Sequence, residues 1–166
     1  FYGKNIRRKL VESHEYEMHH QDLRYRGIVR QDGRVQVYMQ NHCIDSSKEM
    51  EFDSKKDTDT SVNLFCAGLL SGILHGICSF MKKDGNPLED VEAKARVVLD
   101  HPLSYLGVKG YEETPRISKI TIDLYFYSFL EEEETIERCK EALKRNILYQ
   151  SLSPAVEIDL HYHSSL

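Results

Sequence analysis

The 166-residue chain reads as an α+β protein in which antiparallel sheets wrap a long buried central helix. Three observations predict this class. Residues 61–83, SVNLFCAGLLSGILHGICSFMKK, form one long stretch that is apolar around its whole circumference, which marks a core helix rather than a surface one. Strict alternation of apolar and polar residues recurs on both sides of it, the pattern of half-buried strands. Turn signals, Asp32-Gly33 and Asp84-Gly85-Asn86-Pro87 among them, punctuate these segments.

Taken in order, residues 1–23 are polar and His-rich with no clear period, a segment whose fold the sequence does not specify. A single domain is expected over residues 24–166. Tyr25–Val29 and Arg34–Met39 flank Gln31-Asp32-Gly33, a hairpin signature. Residues 45–60 read as a loop or a weak edge strand. The long helix follows and stops at Asp84-Gly85-Asn86-Pro87. Val91, Ala93, Ala95, Val97 and Leu99 alternate with largely polar residues as one strand, and Ile120, Ile122, Leu124 and Phe126 define another. The run Glu131–Glu134 opens an amphipathic helix with acid in its first turn, where the macrodipole favours it. Ile136, Cys139, Leu143 and Ile147 form its stripe, and Val156, Ile158, Leu160 and Tyr162 form a closing strand. So few strands cannot cover a helix that is apolar all round, so a second subunit is expected to complete the cover.

Composition narrows the function classes. Apolar residues make up 40% and charged residues 30%, the balance of a soluble globular protein. The net charge is −5 and the basic residues are scattered, so no electrostatic footprint for nucleic acid appears. The cluster Lys4, Arg7, Arg8 and Lys9 reads as a solvated terminus. Residues 62–81 are nominally long enough to span a bilayer. The run includes Asn63, Ser71, His75 and Ser79, has charged flanks and has no second span beside it, so no membrane role is expected. Cys43, Cys66, Cys78 and Cys139 lack CxxC spacing and no secretory signal pattern opens the chain, which points to reduced thiols in a cytoplasmic protein.

The stretch LFCAGLLSGIL followed by KKDGNPLEDVEAKARVVL resembles the central helix and next strand of the OsmC/Ohr family, the osmotically inducible and organic hydroperoxide resistance proteins. RQDGRV, residues 30–35, is similar to the family's Arg-Asp-Gly hairpin, and EALKRNILYQSLSPAVEIDLHY to its second helix and last strand. The resemblance runs from about residue 24 to 163. It implies an OsmC-like fold, an intertwined homodimer and a thiol site at the subunit interface. There a helix cysteine attacks the peroxide O–O bond, an Arg and a Glu orient it, and a second cysteine resolves the sulfenic acid. The attacking species is a thiolate, so the site must lower a thiol pKa.

Carried over position by position, the resemblance leaves gaps. The attacking cysteine falls on Gly72, the Glu on Val62, and the resolving cysteine and its following Pro on Ile147 and Leu148. Arg30 alone stays in register. The chain therefore reads as a member with the redox pair replaced. It is expected to bind a small apolar or amphipathic ligand at an interface pocket formed by Arg30, Gly68, Gly72, His75 and Ile147, with no cofactor.

The alternative is a thiol-dependent organic hydroperoxide reductase, acting in the oxidative stress response, with Cys66 or Cys78 as nucleophile and Arg30 as its cation. Gly68, Gly72 and Gly76, spaced by four, each cost a helix about 1 kcal/mol against alanine. Their shared face predicts a close approach by a partner helix or a bound ligand. His75 interrupts the apolar run either as a core histidine or as a polar anchor in that pocket. His161 and His163 sit at i, i+2, a spacing that can chelate a metal, but nothing completes a site, so they are expected to face solvent.

Overall fold

The computed structural model describes residues 20–47 and 59–164. The basic cluster at Lys4–Lys9, His19 and most of the expected 45–60 loop lie outside the described residues. The chain divides into two compact units, one ending at Ser61 and the other starting at Val62.

The first unit carries a three-stranded antiparallel sheet, β1 (Arg26–Val29), β2 (Val35–Tyr38) and β3 (Cys43–Ser46), in the order β1-β2-β3. The Asp-Gly signal between β1 and β2 acts as expected. Gly33 takes φ 82°, Gly33 N–H donates to Arg30 O at 3.0 Å, and Asp32 Oδ1 accepts from Arg34 N–H at 3.1 Å. Only glycine adopts that φ without steric cost. The third strand starts earlier than the expected loop, because the pairing of Cys43 with Tyr38 draws the chain straight back along β2.

The second unit holds α1 (Ser61–Lys83), β4 (Glu89–Asp100), α2 (Pro102–Tyr105), β5 (Arg116–Tyr127), α3 (Glu132–Leu143), α4 (Ile147–Leu152) and β6 (Glu157–Ser164). Helix α1 ends as its sequence dictates. Gly85 at φ 82° turns the chain, and the N–H groups of Gly85 and Asn86 return to Lys82 O and Met81 O at 3.2 and 3.0 Å. The sheet order is β4-β5-β6, with β4 antiparallel and β6 parallel to β5.

The parallel pair corrects the expectation of purely antiparallel sheets. Alternation with period two looks the same in either direction, and the crossover through α3 and α4 decides it. The amphipathic helix also differs from its expected length. It breaks after Leu143, and Asn146 starts a separate helix by accepting a hydrogen bond from Tyr149 N–H at 2.9 Å. Ile147 therefore leaves the expected stripe and is 80% exposed.

The core sits between α1, the inner face of β5, and α3. Leu69, Ile73, Ile77 and Met81 of α1 meet Ile120, Ile122, Leu124 and Phe126 of β5 and Cys139, Ala142 and Leu143 of the α3 side. The four α1 residues recur every four positions, one line down the helix. The remaining faces of α1 are partly or fully exposed, including Phe65 and His75. Within one chain the helix is thus buried along one line, and its other faces are left uncovered by these strands. By length and composition it could cross a membrane; here it is the core helix of the unit.

The opposite face of the sheet is polar. Lys119 lies 2.5 Å from Glu157 and 2.7 Å from Asp159, while His161 Nδ1 and His163 Nε2 lie 3.3 and 3.0 Å from Asp123 Oδ1. His161 and His163 are exposed, and their ring nitrogens face this one carboxylate. Among the described residues no group of three or more His, Cys, Asp or Glu is placed to hold a metal ion.

Candidate functional site

The glycines of α1 separate into two kinds. A Cβ on Gly72 would stand 2.6 Å from Leu148 Cδ1, and one on Gly76 would stand 2.5 Å from Asn146 Nδ2. A Cβ on Gly68 would meet nothing within 4 Å. What approaches the helix is therefore the chain's own α3–α4 corner, at two glycines of the three. Within the chain Gly68 takes no part in that approach.

Asn146 is the centre of that approach. Its Nδ2 donates to Gly72 O at 2.8 Å while its Oδ1 caps α4 at Tyr149. The residue is buried, and both ends of its amide are used. A donor and an acceptor lodged against a helix backbone need the room that only a missing Cβ leaves. The sequence carried a signal for this residue, a polar N-cap ahead of the apolar Ile147-Leu148 pair, but nothing that linked it to Gly72.

Beside this contact an open groove of about 390 Å³ runs along α1, at the small end of the range for ligand sites. Gly72, Gly76, Ser79, Phe80 and Lys83 line it from α1. Ala142, Arg145, Asn146, Ile147 and Leu148 line it from the α3–α4 corner. Of the predicted ligand-binding residues, Gly72 and Ile147 line this groove. Gly68 and His75 do not, and both are exposed. Arg30 belongs to the first unit, where it is exposed and its backbone closes the β1–β2 turn.

None of Cys66, Cys78 and Cys139 lines the groove. Cys139 is fully buried, and burial, followed by the nearby Cys78, pushes its pKa up to about 12. Burial also raises the pKa of Cys66 and of Cys78 above the ordinary thiol value. All three shifts disfavour the thiolate, the form a peroxide-cleaving cysteine must hold. Cys43 is half-buried on β3. Tyr162, on the inner side of β6, is likewise raised, first by burial.

No family model and no curated protein matches the sequence. Solved structures do match its fold. An OsmC-like protein from Mycoplasma pneumoniae superimposes with a TM-score of 0.72 at 9% identity, covering 88% of this chain and 99% of that one. OhrB, the organic hydroperoxide resistance protein of Bacillus subtilis, gives 0.61 at 14% identity over 86% of this chain and 98% of its own. An organic hydroperoxide resistance protein OsmC from Legionella pneumophila gives 0.61 at 16% identity, covering 86% and 97%.

Proposed function

Starting from the OsmC/Ohr fold that this chain carries, we propose that it is a cytoplasmic homodimer that binds a small apolar or amphipathic ligand and lacks the family's peroxidase chemistry. One observation supports the reading above others. The positions onto which the resemblance places the attacking and resolving thiols, Gly72 and Ile147, line a single groove, and no cysteine and no carboxylate lines it with them. A glycine cannot attack an O–O bond, and an isoleucine cannot capture a sulfenic acid. What is left at that place is apolar wall: Ile147 is 80% exposed and Leu148 is 40% exposed. A second chain packed on the uncovered faces of α1 would enclose the groove and cover Phe65.

Steady-state reduction of an organic hydroperoxide with dithiothreitol tests this. The expected result is turnover no faster than that of a Cys66→Ser/Cys78→Ser double variant. Turnover well above that variant would instead make the chain a thiol-dependent hydroperoxide reductase with a relocated nucleophile.

A further inference from the structure

The groove has two chemically different ends. At the Gly72 end the walls are Ile147 and Leu148. At the other end, eleven residues and about 16 Å further along α1, stand Lys83 and, from the opposite wall, Arg145, whose guanidinium lies 5.4 Å from the centre of the Phe80 ring. No ion pair holds Lys83 or Arg145 among the described residues. The neighbouring carboxylates are held mainly by other cations, although Glu141 also feels the charge of Arg145. Asp84 is paired with Arg138, and Glu141 with Lys144 at 2.7 Å.

Between its ends the groove offers a ligand no charge, and Ser79 supplies its one hydroxyl. Asn146 has both amide ends occupied, and no buried side-chain N or O atom among the described residues lacks a partner. Recognition of a charge can therefore come from the rim alone, and the rim is cationic. The carbonyls ending α1 weaken that field, so a headgroup needs both cations. Resting on the ligand-binding reading above, we propose that the groove takes a single-chain amphiphilic carboxylate. Its alkyl tail lies along Ile147 and Leu148 toward Gly72, and its carboxylate lies between Lys83 and Arg145.

Calorimetric titration of the full chain with decanoate and with decan-1-ol, at low salt and pH 8, tests the assignment. Decanoate is expected to bind about tenfold more tightly, the scale for two exposed charge contacts. In a Lys83→Gln/Arg145→Gln variant the ratio of the two affinities should fall to about one. Both side chains are exposed, and an unchanged urea midpoint would verify that the variant is folded. Equal binding of the two probes by the parent chain overturns the headgroup assignment but leaves the groove as an apolar site. A preference that persists in the variant overturns the role of Lys83 and Arg145. Failure of both probes to bind overturns the ligand-binding reading along with this one.

Discussion

The two sides of helix α1 are built on opposite principles. On one side Leu69, Ile73, Ile77 and Met81 interlock with β5 and α3, all at 3% exposure or less. On the other, Gly72 and Gly76 carry no side chain, and the α3–α4 corner is held against them through one polar residue, Asn146. The first side derives its stability from apolar area removed from water. The second gives up that area, gains one hydrogen bond, and leaves an opening next to it. The contrast shows how a fold keeps a rigid helix and an accessible groove on the same few turns.

Cutting into the packed side should cost most. Ile73→Ala removes a fully buried side chain from a filled core and is expected to destabilise by about 2–5 kcal/mol, read as a fall in the urea midpoint. A cost under about 1 kcal/mol would mean that this side is no better packed than the other.

Alkaline titration probes the same side through Cys139. Its pKa is raised from 9.0 to about 12 in the folded chain, so the unfolded state loses the thiol proton first as pH rises. The resulting stability is fully present below pH 9 and is lost between pH 9 and about 12, with a slope of about 1.4 kcal/mol per pH unit for this group. Cys139→Ala should have a shallower slope over that range in urea unfolding at successive pH values. An unchanged slope would place the thiol in water.

The smallest effects distinguish the glycines. Gly68→Ala meets nothing within 4 Å in its own chain and should stabilise the folded chain by about 0.5–1 kcal/mol. Gly76→Ala pushes Asn146 off Gly72 O, and the lost buried hydrogen bond outweighs the gain in helix propensity, for a net loss of about 1 kcal/mol. Opposite signs in thermal melts sharpen the division; the same sign for both would erase it.

The sequence made the packed side legible and the open side only in part. Apolar period and turn chemistry placed α1, its Gly85 stop, the Asp32-Gly33 hairpin, β4, β5 and β6, because each depends on local residue pattern. The direction of β6 was hidden, since alternation is blind to it and the crossover is a tertiary fact. The difference between Gly68, Gly72 and Gly76 within the chain was hidden for a related reason. Their spacing is identical, and only the position of Asn146 in space separates them. The resemblance did bring Gly72 and Ile147 to one place. It singled out Arg30, a residue of the first unit, and gave no sign of Lys83 and Arg145, the charges lining the groove of the second, which carry no motif.

Asn146 leaves little latitude for mutational drift. Aspartate would keep the cap on Tyr149 but set an oxygen against the Gly72 carbonyl. Serine would keep the cap and fall short of the helix, and glutamine would overreach a gap sized by Gly76. Any descendant that changes one of the trio 72, 76 and 146 must therefore change another or let the corner swing away, and the shape of the groove would be inherited or lost as a block.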